Sequence, residues 1–282
     1  MPLTTANEIL RVGRERGHGC ASCNVVTLEQ ISGVVTGAER ADRPVILQIS
    51  HNAVRYHGAL APLGRAALAA ATQATVPVAV HLDHAESAEL IHEAVQLGFG
   101  SVMYDGSTLE HAENVRRTAE VVAECHSSGV AVEAELGEVG GKDGVHAPGA
   151  RTDPSEAREF VRATGVDALA VAVGSSHAML TQDAELDFDL IAQLRAELDV
   201  PLVLHGSSGV PDADLARAVD SGMTKINMAT RLNGSFTAAV REYLAANPTT
   251  VDTRKYLAPA RSALASDVAE LLRMFAPEGA RS

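Results

Sequence analysis

The chain has 282 residues, 46% hydrophobic, 21% charged and only 3% aromatic, a balance that excludes disorder and collagen and supplies a substantial core. Asp and Glu outnumber Lys and Arg by 36 to 23, a formal net charge of −13, so no basic stripe is available for nucleic acid. Lysine occurs only at Lys142, Lys225 and Lys255, which leaves few amines for Schiff-base chemistry, and the absence of Trp argues against aromatic stacking platforms.

The N-terminal segment MPLTTANEIL lacks a basic start followed by an apolar stretch, and no later run approaches the ~18 apolar residues of a membrane span. A cytoplasmic protein without export signal or membrane anchor is expected. A helix is predicted over about 5–16, followed by the apolar run CASCNVV (20–26). Its Cys20 and Cys23, with Cys125 the third cysteine, make an odd count, which suits a reducing compartment and a structural role for the pair. Seven further runs follow: PVILQIS (44–50), VPVAVHL (76–82), FGSVMYD (99–105), VAVEAEL (130–136), VDALAVAVG (166–174), VPLVLHG (200–206) and MTKINMA (223–229). Several are apolar almost without alternation, the pattern of strands buried on both faces.

Between the runs lie helical patterns with readable ends. Ser87 is a capping residue ahead of Leu90, Ile91, Ala94 and Val95, and Gly98 follows the last turn. Pro154 opens and Gly165 closes PSEAREFVRATG, and Pro211 and Gly222 bracket PDADLARAVDSG. Eight strand and helix units joined by right-handed crossovers predict a single (β/α)₈ TIM barrel over 1–282, with the N-terminal helix and a C-terminal helical extension at about 231–276. An open doubly wound sheet is the alternative, weakened because no G-x-G-x-x-G follows the first strand.

A barrel gathers its chemistry at the carboxyl ends of its strands. Read in order, those ends carry Asn24, Ser50, Asp83 with His84, Asp105, Glu135, His177, His205 with Gly206, and Asn227. In HLDHAES an acid sits between histidines at the edge of a low-dielectric interior, where either group can move a proton or bind a metal. Side chains alternate along a strand, so Asp83 and His84 cannot both face inward unless the strand bends or ends near Leu82. His81 is read as a satisfied interior histidine. His84, His177 and His205 are candidates to converge on one Zn²⁺ with a position left open. The loops Gly206, Ser207, Ser208 and Asn227, Met228, Ala229, Thr230 follow the seventh and eighth strands, where backbone N–H groups cradle phosphate in many barrels.

With HLDHAES, VEAELGEVGGKDG, AVGSSH, PLVLHGSSGVP and KINMAT in this order, the sequence resembles the class II, metal-dependent fructose- and tagatose-bisphosphate aldolases over about residues 5–275. The resemblance implies a TIM barrel that cleaves a ketose 1,6-bisphosphate into glycerone phosphate and glyceraldehyde 3-phosphate. It implies that His84, His177 and His205 ligate catalytic Zn²⁺, that Asp83 moves the proton at the C4 oxygen, and that Asp105 and Glu135 belong to a second metal site, for a divalent or monovalent cation. Gly206 to Ser208, Asn227 to Thr230 and the backbone of Ala178 match the phosphate-holding positions. Asn24, Ser50 and Lys225 match substrate-side or supporting positions, and Arg254 the basic residue for the other phosphate. A homodimer or homotetramer is implied as well.

The chain departs from the family at four places. Asp143 stands where a loop glutamate usually moves the C3 proton, with Glu138 the weaker substitute; Ala178 replaces a glycine; Ser22, Cys23 and Asn24 stand where the family has A-F-N; and Ala229 replaces the Asp or Asn of fructose-specific members, which brings the tagatose-specific sequence closer. The expected activity is fructose-bisphosphate cleavage, with the tagatose epimer as alternative. A non-catalytic sugar-phosphate sensor or another metal enzyme on the same fold would be the contrasting readings.

Overall fold

The eight apolar runs become eight parallel strands, β1 (Cys20–Asn24), β2 (Val45–Ser50), β3 (Val78–Ala85), β4 (Ser101–Tyr104), β5 (Ala131–Glu135), β6 (Ala168–Ala170), β7 (Leu202–Leu204) and β8 (Met223–Met228). They pair in chain order, and β1 meets β8 to close a barrel. The computed structural model describes residues 2–136, 151–175 and 184–276. Closure excludes the open-sheet alternative.

Eleven helices lie among the described residues: α1 (Ala6–Arg16), α2 (Leu28–Ala41), α3 (His51–His57), α4 (Ala61–Gln73), α5 (Ala88–Leu97), α6 (His111–Ser127), α7 (Pro154–Thr164), α8 (Phe188–Glu197), α9 (Asp212–Ser221), α10 (Thr230–Ala246) and α11 (Thr253–Met274). None is long and apolar enough to cross a membrane. The predicted ends hold. Ser87 accepts from the Leu90 N–H, Gly98 and Gly165 close α5 and α7 in the left-handed conformation, and Pro154 opens α7. The C-terminal extension is two helices rather than one tail, and α3, begun by a Ser50 cap, was not apparent in the sequence.

Inside the barrel the strands alternate between apolar and polar layers. At the amino end Cys20, Ile46, Ala79, Ala168, Ala170 and Val203 pack against Ala6, Ile9 and Leu10, so α1 plugs the floor. The opposite strand faces join the helices in the main core. On that outer side α11 lies along α2, where a Cβ at Gly37 would come within 2.6 Å of the Ala265 carbonyl oxygen. Glycine permits that approach.

Strand β3 continues past Leu82 instead of ending there. Its register with β4 shifts between Leu82 and Ala85, and His84 takes a left-handed φ of 51°. A residue in that region is uncommon outside glycine and re-aims the side chains around it. The bend therefore resolves the conflict over Asp83 and His84.

Candidate active site at the carboxyl end of the barrel

Ser22, Gln48 and Asn24 build one side of the site. The hydroxyl of Ser22 donates to Gln48 Oε1 at 2.5 Å, Gln48 Nε2 donates to Asn24 Oδ1 at 3.0 Å, and Asn24 Nδ2 donates to Asp83 Oδ2 at 3.2 Å. Each amide is thus oriented by the one before it, and the last holds the acid. Burial alone would raise the Asp83 pKa, but the charges of His84, Lys225, His205 and His81 outweigh it and bring it to about 2.

The bend in β3 carries His84 toward Asp105, whose Oδ2 lies 2.7 Å from His84 Nδ1. Asp105 Oδ1 is fixed in turn by the Ser107 N–H at 3.2 Å and its hydroxyl at 2.6 Å. The His84 and His205 rings meet edge to face with centroids 4.8 Å apart. His205 sits between two carboxylates of β5, with Nε2 3.1 Å from Glu133 Oε1 and Nδ1 3.1 Å from Glu135 Oε2. Burial pushes its pKa down, but Glu133 and Glu135 prevail and raise it to about 9.

Beneath this layer Lys225 is fully buried on β8 and donates to Glu133 Oε2 at 2.6 Å. His81 lies alongside, its Nε2 3.4 Å from Lys225 Nζ and its Nδ1 2.8 Å from the Ser101 hydroxyl. It is the satisfied interior histidine expected of a buried polar group.

A cavity of about 160 Å³ opens above these groups, lined by Asn24, Asp83, His84, Gly206, Ser207, Ser208, Asn227, Ala229 and Thr230. Gly206 adopts φ 65°, which turns the chain out of β7 into a 3₁₀ turn over Ser207–Gly209. The Ser207 hydroxyl donates to the Asn227 carbonyl and contacts the Met228 sulfur, tying the two loops together. Helix α10 begins at Thr230 with no side-chain cap from Ala229; the Arg231 N–H donates to the Ser208 hydroxyl at 3.2 Å, and Ala229 and Thr230 form that part of the cavity wall.

Among the described residues, two sets of side chains bring donor atoms within 4.8 Å of one another: Asp83, His84 and His205, and His84, Asp105 and Glu135. Imidazole nitrogens mixed with carboxylate oxygens are the donor chemistry of Zn²⁺, so the residues fit such an ion. His177, Ala178 and Asp143 lie outside the described residues. Ser50 stands opposite Asp83 in the β2 and β3 register but spends its hydroxyl as the cap of α3. Arg254 is not brought to the cavity: its side chain is 89% exposed at the start of α11 and forks onto Asp252. The sequence reading passed over Glu133, Gln48, Ser22 and Ser101. The signal was a polar residue two positions before the strand-end residue, as in Ser22 with Asn24, Gln48 with Ser50, and Glu133 with Glu135.

The family model for class II fructose-bisphosphate aldolase matches residues 4–280. A probable fructose-bisphosphate aldolase of Bacillus subtilis is 42% identical over 279 residues, covering 98% of each chain. The fructose-bisphosphate aldolase of Geobacillus stearothermophilus is 39% identical over 283 residues, covering 99% of each. Among solved structures, the YdjI aldolase of Escherichia coli K12 superposes with a TM-score of 0.88 at 34% identity, covering 99% of this chain and 100% of that one. With a closed eightfold barrel and near-complete coverage on both sides, the chain belongs to the class II fructose-bisphosphate aldolase family of carbon–carbon lyases.

Proposed function

We propose that the chain reversibly cleaves fructose 1,6-bisphosphate between C3 and C4, giving glycerone phosphate and D-glyceraldehyde 3-phosphate. The observation that carries this reading is the convergence of Asp83, His84 and His205 at one end of the barrel, beside two loops rich in backbone donors. His84 and His205, with His177, would hold Zn²⁺. When bound, the ion supplies a Lewis acid that stabilises negative charge developing on substrate oxygens as the bond breaks.

The chain's own groups account for the remaining work. Asp83, ionised and oriented by Asn24, takes the proton from the C4 hydroxyl in cleavage and returns it in condensation. Asp105 orients the His84 ring. The N–H groups of Gly206 to Ser208 and Asn227 to Thr230, with Ala178, hold the phosphate of the glycerone half, and Asp143 is assigned the C3 proton. Lys225 supplies no imine, because it is committed to Glu133. A homodimer or homotetramer, and a second cation near Asp105 and Glu135, complete the reading.

Ala229 favours a second reading. A methyl group at the cavity wall offers no hydrogen bond to discriminate the C4 hydroxyl, so tagatose 1,6-bisphosphate is also a candidate substrate. The test is product formation from each sugar after chelation and after Zn²⁺ is restored. Loss and recovery of glyceraldehyde 3-phosphate release support the reading; chelator-insensitive activity, or no release from either sugar, overturns it.

A further inference from the structure

Glu133 is 4% exposed in the barrel interior and bonds at both ends of its carboxylate, Oε2 to Lys225 at 2.6 Å and Oε1 to His205 Nε2 at 3.1 Å. A buried ion pair is weak evidence for stability, since apolar residues of similar volume often replace one without loss. Its geometry needs another account. Glu133 and Glu135 share a face of β5 and reach the His205 ring from opposite ends, one deep and one at the rim. Nε2 meets the deeper carboxylate, Glu133, and Nδ1 lies toward Glu135, nearer the carboxyl end of the strand.

We propose that Glu133, anchored by Lys225, is a positioning residue for His205. It accepts the Nε2–H from inside the barrel and so presents Nδ1, with its lone pair, to a divalent cation. The proposal rests on the metal site of the preceding reading and adds the groups that fix its deeper ligand. A ligating imidazole generally gives its second N–H to a carboxylate, which selects the tautomer and the ring plane. His84 is held in the same manner but through the other nitrogen, by Asp105 at Nδ1. The two rings therefore enter the site crossed, at 68° between planes. Lys225 balances the Glu133 charge and limits its rotamer, and is itself placed by His81 and, through it, Ser101. The resulting chain, Ser101 to His81 to Lys225 to Glu133 to His205, links β4, β3, β8 and β5 to the residue that follows β7.

Zinc affinity of the metal-free protein, titrated against a chromophoric chelator, tests the role directly. Glu133→Leu with Lys225→Met removes the ion pair and the acceptor together at similar volume; Glu133→Gln with Lys225→Met removes the charges but keeps an acceptor for Nε2–H. The first variant is expected to bind Zn²⁺ about 10–100-fold more weakly. The second should recover most of that loss, with urea midpoints of the two alike. Wild-type affinity in a folded Leu/Met variant, or equal weakening in both, overturns the positioning role. A second measurement needs no variant: ¹⁵N spectra of histidine in the Zn²⁺-loaded wild type should show His205 protonated at Nε2 and metal-bound at Nδ1, and the reverse assignment overturns the proposal. A wild-type chain that takes up no Zn²⁺ defeats the metal reading itself, an outcome distinct from these.

Discussion

The amide nitrogen of Asn24 lies 3.2 Å from the Asp83 carboxylate, although the two residues stand on strands separated by β2. Gln48, on the intervening strand, orients the Asn24 amide and thereby selects which end of it meets the acid. Asp83→Asn is expected to lower kcat by about 10²-fold or more while leaving Zn²⁺ content unchanged, since proton transfer by a positioned group contributes on that scale. Asn24→Ala should lower kcat less, with a shifted acidic limb of the pH profile. Full activity in Asp83→Asn would remove the acid from the mechanism.

The lysine inventory leads to a chemical prediction. Lys225 is buried and paired with Glu133, and Lys255 is exposed on α11. Among the described residues neither presents a free amine at the cavity, while Lys142 lies outside them; borohydride added during turnover is expected to trap no substrate adduct. Mass spectrometry of the treated protein decides the matter: a stable sugar-phosphate adduct on any lysine would show that the imine route operates.

Gly174, where the chain leaves the β6 region, has φ 118°, and a Cβ there would fall 2.1 Å from the Glu185 carbonyl oxygen. Gly174→Ala must therefore move one backbone segment or the other. A loss of about 1–3 kcal/mol is expected, read as a lower urea midpoint. An unchanged midpoint would mean the segment relaxes without cost.

His81 sets a dependence of stability on acid. Burial, followed by the Lys225 charge, lowers its pKa to about 3, against the opposing pull of Glu133 and Asp83. The unfolded chain protonates the same ring near an ordinary value of about 6.5. Between those limits the unfolded state binds the extra proton, so stability falls as pH drops from about 6.5 toward 3 and this contribution then levels off. His81→Gln, which cannot titrate, should flatten the fall in urea midpoint between about pH 6.5 and 4.5, a window above the titration of most carboxylates. Identical slopes for wild type and variant would contradict the assignment.

Much of this protein was legible without coordinates because parallel strands covered on both faces must be nearly continuous in apolar residues. VPVAVHL and VPLVLHG announce themselves in that way, and the turn residues after them mark the end where polar groups collect. His81 could be placed in the interior for the same reason, by its parity with Asp83 inside an apolar run. Strand order and closure, by contrast, depend on pairing between segments far apart in sequence. So do the contacts of Glu133, whose partners Lys225 and His205 come from β8 and from the residue just after β7.

By itself the sequence determined the eight units, the acidic charge balance and the candidate donors at the strand ends, because periodicity and composition are read directly from it. Only the tertiary structure decided that β3 bends at His84 so that Asp83 and His84 both serve the same cavity. It alone brought an ion pair beneath His205 and left Arg254 in solvent. Which nitrogen of an imidazole faces a cavity is settled by groups on other strands, and their distance is a property of the closed barrel rather than of any segment in it.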